Sequence, residues 1–162
     1  MISIIEYESR YLESVRDLLT ELEEYIVDID KDNLDQVHPD YWEKMALVDL
    51  KELEENKGIC YLALEDDKVV GLIMGCLISY SDDDKLDYKC PKSGDITELI
   101  VTSKTRSKGV GKMLMQRLED YFLSLGCEYI HVDVFAYNLN GIKFYDKLGY
   151  HPRMHNFIKK IK

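Results

Sequence analysis

Residues 95–112 bring together the side chains best suited to holding a phosphate. Asp95-Ile96-Thr97-Glu98-Leu99-Ile100-Val101 reads as a strand and Thr102–Thr105 as a short connection. Arg106-Ser107-Lys108-Gly109-Val110-Gly111-Lys112 then forms a glycine loop opening directly into an amphipathic helix. Glycines in such a loop let backbone N–H groups face inward at close range, and a helix start adds unpaired donors and a partial positive charge. Arg106, Lys108 and Lys112 add full charges, so the expected ligand is polyphosphorylated. The Rossmann loop G-x-G-x-x-G fails because Leu114 stands where the third glycine belongs. The Walker loop fails because Met113 follows Gly111-Lys112 and Arg106 occupies the first glycine position. Glu98 is the other conspicuous residue, a carboxylate amid Ile96, Leu99, Ile100 and Val101, on the strand face opposite Thr97 and Leu99. It is either a solvated edge side chain or a proton acceptor.

Arg106, Gly109 and Gly111 match the R/Q-x-x-G-x-G/A loop of the GNAT N-acetyltransferases, which this segment resembles. The likeness continues through the strand Ile130-His131-Val132-Asp133-Val134, then Asn138, then Phe144-Tyr145-Asp146-Lys147-Leu148-Gly149-Tyr150. That last run is similar to the family's YxKxGF segment, with Tyr150 in place of phenylalanine. The resemblance covers the coenzyme-binding half in detail and the whole chain in element order. It implies a mixed α/β (α+β) GNAT fold: a central, mostly antiparallel mixed sheet with helices on both faces. It also implies acetyl-CoA as co-substrate, no metal, and acetyl transfer to a primary amine by direct attack in a ternary complex.

On this resemblance the backbone of Leu99, Ile100 and Val101 pairs with the pantetheine arm, and the amides of Arg106, Ser107, Lys108, Gly109, Val110, Gly111 and Lys112 hold the pyrophosphate. Asn138 meets the pantetheine or stabilises the following turn, its plain alternative being a helix cap. Lys147 joins the coenzyme contacts. Tyr145 falls where relatives commonly place a tyrosine that protonates the leaving thiolate, its alternative being packing on a helix face. Glu98 falls where many place a glutamate that takes the amine's proton directly or through water. A non-catalytic coenzyme A-binding or regulatory domain is the competing function. Homodimers are frequent in the family, and the acceptor is set by residues equivalent to about 20–45 and 80–92.

The elements that must position these residues follow from periodicity. Ser3–Tyr7 reads as an edge strand, with Ser9 as N-cap of a helix carrying Tyr11, Leu12, Val15, Leu18, Leu19, Leu22 and Ile26 at helical spacing. Residues 27–39 read as a polar connection and Asp40–Glu55 as a second helix, ended by Gly58. Ile59–Leu64 and Val69–Tyr80 around Asp66-Asp67 form a hairpin, followed by a charged loop to Lys92 and a strand at Ile96–Val101. Gly109 opens a third helix and Gly126 ends it. Tyr129–Phe135 is then a strand, Asn140–Leu148 a helix, and Tyr150–Ile161 strand-like with a break at Pro152. The order is β-α-α-β-β-β-α-β-α-β, in a single domain spanning 1–162.

At 162 residues, 46% hydrophobic, the chain suits one core and leaves little room for a second domain. Its longest apolar run, Val69–Ile78, falls short of the ~20 residues a membrane-spanning helix needs, so no membrane partner is expected. The opening Met1-Ile2-Ser3-Ile4-Ile5-Glu6 lacks the basic-then-apolar pattern of a secretion signal, and a cytoplasmic location is expected. Cys60, Cys76, Cys90 and Cys127 contain no C-x-x-C pair and read mostly as small buried hydrophobes.

Residues 1–100 carry 26 acidic against 10 basic side chains, and residues 101–162 carry 5 against 11. The basic part suits an anionic ligand, while the acidic part repels nucleic acid and draws cationic acceptors such as a polyamine, an aminoglycoside-like amine or a basic peptide. Tyr41, Trp42 and Tyr80 are candidates to stack on the acceptor.

Overall fold

The computed structural model describes residues 1–38 and 41–162, the side chains of 41–46 excepted. Among the described residues five strands form one sheet in chain order: β1 (Ile2–Glu6), β2 (Ile59–Glu65), β3 (Lys68–Leu77), β4 (Ser93–Val101) and β5 (Tyr129–Val132). The helices are α1 (Leu12–Ile29), α2 (Tyr41–Glu55), α3 (Asp84–Asp87), α4 (Val110–Ser124) and α5 (Leu139–Lys147). β1 to β4 pair antiparallel, and β5 joins β4 in parallel through the crossover helix α4.

The hairpin β2–β3 turns on Asp66 and Asp67, both left-handed with φ of 50° and 63°, the mirror-image turn whose twist matches that of the strands. Apolar residues of the sheet alternate between two layers. On one face Leu62, Leu72, Met74 and Ile100 meet Val15, Leu18 and Leu19 of α1 and Leu53 of α2. On the other, Ala63, Ile73 and Ile96 meet Val110, Leu114, Leu118 and Phe122 of α4.

Phe122 is fully buried in a slot that two glycines create. A Cβ on Gly94 would lie 2.6 Å from its ring, and one on Gly75 would lie 2.6 Å from the Asp95 carbonyl and 2.9 Å from the ring.

Several boundaries differ from expectation. Ser9 begins a single 3-10 turn without capping by its side chain, and α1 starts at Leu12. α1 runs on to Ile29, where the Asp30 carboxylate accepts hydrogen bonds from the amides of Asp32, Leu34 and Asp35 and ends the helix. Past α2, the left-handed position is Lys57, not Gly58, whose amide bonds back to the Leu53 carbonyl at 2.6 Å.

The largest correction concerns residues 150–161, expected as a strand. They adopt no regular secondary structure, and all of 151–162 is exposed. Pro152 brings no N–H, and no ladder reaches the segment to satisfy its backbone. The strand expected at 129–135 likewise stops at Val132.

The slot around Phe122 predicts that Gly94→Ala, which drives a methyl into the buried ring, lowers unfolding free energy by about 1–3 kcal/mol. Denaturant titration of the variant against the parent checks this.

Candidate active site

β4 and β5 are hydrogen-bonded neighbours only from Ser93–Tyr129 to Ile96–Val132. β4 continues to Val101 while β5 ends, so among the described residues no strand lies beside the edges of Thr97–Val101 that face away from β3. A cavity of about 140 Å³ occupies this parting, walled by Thr97, Glu98 and Leu99 of β4, by Val132 to Phe135, by Glu23 and Ile26 of α1, and by Asn138 and Tyr145.

The register of β4 explains how a carboxylate comes to face this space. Met74 pairs with Glu98 and Gly75 with Ile96, leaving Thr97 as an extra residue, a β-bulge. Glu98 shares with Met74 the layer covered by α1 and α2, while Leu99 packs on the α4 layer. The opposite-face placement of Glu98 and Leu99 is thus as the sequence indicated, whereas Thr97 is the exposed bulge residue.

Electrostatics at the cavity are unusual. Burial, reinforced by the carboxylates of Asp49 and Glu23, pushes Glu98 up to about 8. Asp49 on α2 is itself raised to about 6 by burial and by Glu52 and Glu23. Tyr145 is pushed up to about 12 by burial and by the charge of Glu98, so its hydroxyl keeps its proton throughout the neutral range. Its ring packs against Phe144 and Tyr150, with centroids 5.4 and 5.7 Å away, and the Tyr150 hydroxyl donates to Glu119 at 3.1 Å. Glu98 and Tyr145, far apart in sequence, line one cavity.

The glycine loop leads off the end of β4. Ser103–Thr105 form a 3-10 turn, Ser107 and Gly109 are left-handed with φ of 70° and 81°, and α4 starts with no side chain capping its first turn. A Cβ at Gly109 would meet nothing within 4 Å, so the approach to those amides is open. Two of the three expected cations are engaged elsewhere. Arg106 folds back, its Nε donating to the Val101 carbonyl at 3.0 Å and its guanidinium 3.8 Å from Glu21. Lys108 pairs with both oxygens of Glu65 at 2.7 and 3.0 Å. Lys112 is exposed on the first turn of α4. Backbone amides, more than cationic heads, are what the loop presents.

Asn138 is a cap: its Oδ1 accepts from the Gly141 amide at 2.9 Å at the start of α5. The same oxygen accepts from the Tyr25 hydroxyl at 3.1 Å, and Tyr137 donates to Asp32 at 2.8 Å. Two bridges therefore tie the end of α1 to the turn before α5, across the parting. Lys147 is exposed in the last turn of α5 and does not line the cavity. Tyr80 also lies off the cavity, donating to Ser93 Oγ at 3.1 Å, and the side chains of Tyr41 and Trp42 lie outside the described residues.

Sequence reading did not single out Asp49 or Tyr25. Asp49 and Leu53 are four apart and share a helix face, so an acid at an inward position was the available signal. Tyr25 carries no such mark, because its partner is 113 residues away. Cys60 and Cys76 are buried, with burial pushing the thiols up to about 12 and 11, and Cys127 packs half-buried beside the α4 layer.

A family described as "Acetyltransferase (GNAT) family" matches residues 13–150, and the chain belongs to it. An uncharacterized N-acetyltransferase of Methanocaldococcus jannaschii is 32% identical over 94 residues, 57% of this chain; the match spans about half, 53%, of that relative. A proposed acetyl transferase of Pyrococcus furiosus superposes with a TM-score of 0.75 at 20% identity, over 99% of this chain and 100% of that one. AAC(6′)-Iy, solved with the bisubstrate analogue CoA-S-monomethyl-acetylneamine, gives 0.73 at 18% identity, over 100% and 99%. At these identities the solved structures speak for the fold, which is the mixed sheet flanked by helices that the sequence indicated.

The Glu98 shift has a testable consequence for stability. Its folded value lies above the 4.5 of a free glutamate, so the folded state holds the proton more tightly. Stability from this group is fully present below about 4.5 and is lost as pH climbs to about 8. Glu98→Gln is therefore expected to gain roughly 4 kcal/mol more over the parent at pH 9 than at pH 5. Denaturant unfolding at the two pH values measures the difference.

Proposed function

We propose that this chain transfers an acetyl group from acetyl-CoA to a primary amine of a cationic small molecule or basic peptide, by direct attack in a ternary complex. What carries the reading is one observation: Glu98 and Tyr145 line a single cavity at the parting of β4 and β5, beside an uncapped helix start.

The backbone of Leu99, Ile100 and Val101 receives the pantetheine as an added strand, in the role β-augmentation gives to an unpaired edge. The amides from Arg106 to Lys112 take the pyrophosphate at the N-terminus of α4. Lys108 and Arg106 add charge there on exchanging their carboxylate partners for phosphate, and Asn138 holds the turn that borders the arm.

An alkylammonium has no lone pair, so Glu98 accepts its proton first, directly or through water. The neutral amine nitrogen then attacks the thioester carbonyl carbon, a C–N bond forms, and the C–S bond breaks as the tetrahedral species collapses. Tyr145 donates its hydroxyl proton to the departing thiolate and recovers one from solvent or from the acylated nitrogen.

The acceptor class follows from the same electrostatics. Burial first, then the charges of Asp49 and Glu23, raise Glu98, and burial, then Glu52 and Glu23, raise Asp49. A cationic acceptor relieves that repulsion, lowers the Glu98 value and so prepares the base as it binds. The bisubstrate analogue bound to AAC(6′)-Iy joins coenzyme A to an amine-bearing ligand in that protein, which is consistent with this reading.

Two measurements test it. kcat/KM for a polyamine or lysine peptide is expected to rise with pH through a limb near 8, and Glu98→Gln to remove the limb while lowering kcat by 10²–10⁴-fold. Tyr145→Phe is expected to lower kcat at least about tenfold with the acetyl-CoA KM unchanged. Release of free thiol reports turnover in both. Tight coenzyme A binding with no transfer to any amine of a broad panel would instead favour a non-catalytic binding domain.

A further inference from the structure

The side chain of Arg106 lies along the open edge of β4. The Thr102 amide donates to the Val70 carbonyl on β3 at 2.9 Å, so the backbone groups of Val101, one residue earlier, face the other way, toward the parting. Arg106 Nε donates to that outward carbonyl of Val101 at 3.0 Å. Its guanidinium then reaches α1, 3.8 Å from the Glu21 carboxylate and with its carbon 5.6 Å from the centre of the Tyr25 ring. Tyr25 in turn donates to Asn138 at 3.1 Å. Arg106, Tyr25 and Asn138 therefore form one line from the glycine loop to the turn before α5, across the strip of β4 that lacks a neighbouring strand.

Glu21 fixes the far end of this line. One of its oxygens accepts from the Ser103 amide at 2.7 Å, which ties α1 to the 3-10 turn after β4. Burial disfavours its charge, but the Ser103 amide, the hydroxyls of Thr102 and Ser103 and the Arg106 guanidinium together outweigh burial and hold the carboxyl below its usual range. Glu21 thus stays an anion at neutral pH. Toward Arg106 it takes the part of a phosphate, a negative oxygen held by a backbone amide, hydroxyls and a guanidinium. A carboxylate offers a single charge and a pyrophosphate brings more, so a diphosphate reaching the amides from Arg106 to Lys112 gives the guanidinium a stronger partner. Turning to it uncovers the Val101 carbonyl.

We infer that Arg106 is a latch shared by the two seats of the coenzyme, held shut by Glu21 and Tyr25, and that phosphate binding at the glycine loop opens the β4 edge to the pantetheine arm. The inference rests on the reading of this site as a coenzyme A seat. One side chain cannot cover Val101 and face the loop amides at once, so filling either seat changes the affinity of the other. Glu21 and Tyr25 act through Arg106, as positioning residues. Lys108 offers a contrast. It is bound to Glu65 on β2, so releasing it adds charge for the phosphate and frees no backbone group of β4.

Pantetheine and inorganic pyrophosphate, supplied as separate molecules, test the coupling in nuclear magnetic resonance titrations of the isotope-labelled full chain, with coenzyme A as the reference ligand. In the parent, saturating pyrophosphate is expected to tighten pantetheine binding at least about fivefold, and saturating pantetheine to tighten pyrophosphate by the same factor, as linkage requires. Glu21→Gln is expected to bind pantetheine alone about two- to fivefold more tightly than the parent, the weight of a partly exposed ion pair. Arg106→Leu is expected to bind pantetheine equally with and without pyrophosphate, and Lys108→Met to weaken pyrophosphate yet keep the coupling. Dispersion of the amide spectrum shows that each variant is folded. A parent that binds coenzyme A while its pantetheine and pyrophosphate ignore each other overturns the latch and leaves the coenzyme seat standing. Coupling that survives in Arg106→Leu, or vanishes in Lys108→Met, does the same. A parent that takes up no coenzyme A overturns both.

Discussion

Everything that concerns chemistry in this molecule hangs on where two parallel strands stop touching. β4 and β5 share four residue pairs and then separate, and the separation exposes backbone on β4, opens the cavity, and points β4 toward the glycine loop. A continuous ladder would seal all three. The antiparallel hairpin on the other side of β4 and the buried α4 beneath it supply the rigidity that lets one strand stand partly unaccompanied. The cost of leaving polar backbone without a partner is tolerated because the opening reaches water, and so reaches ligands.

Around that opening the fold accumulates negative charge where it is least comfortable. Glu98 is drawn by the bulge into the layer that α1 and α2 cover, and those helices bring Glu23 and Asp49. None of these contributes to folding as an apolar side chain would. What results is a carboxylate raised toward neutrality beside a tyrosine whose hydroxyl stays protonated, a perturbed pair of the kind that clusters at functional sites. Bridges from Tyr25 to Asn138 and from Tyr137 to Asp32 tie α1, which carries Glu23, and the residues just past it to the turn that opens α5, which carries Tyr145.

Local chemistry was legible in the sequence and distant chemistry was not. Gly109, Gly126 and the Asp66-Asp67 turn act through backbone conformation within a few residues, and each stands where the pattern placed it. Asn138 as a cap was equally readable, since its partner is three residues away. The bulge at Thr97 was invisible because it exists only relative to β3, and the Lys108–Glu65 pair because it spans 43 positions. Residues 150–161 mislead for a related reason. Strand-like composition states a capacity to pair, and the partner is not written in the segment itself.

The bulge also separates what keeps the chain folded from what keeps it useful. Without Thr97, Ile96 would still face α4 and Glu98 would still sit opposite Met74, because the extra residue falls between two correctly assigned faces. Loss of that single codon would leave the hydrophobic alternation intact while removing Thr97 from the wall of the cavity. One short deletion would thus redraw the cavity and keep the two packed layers of the body.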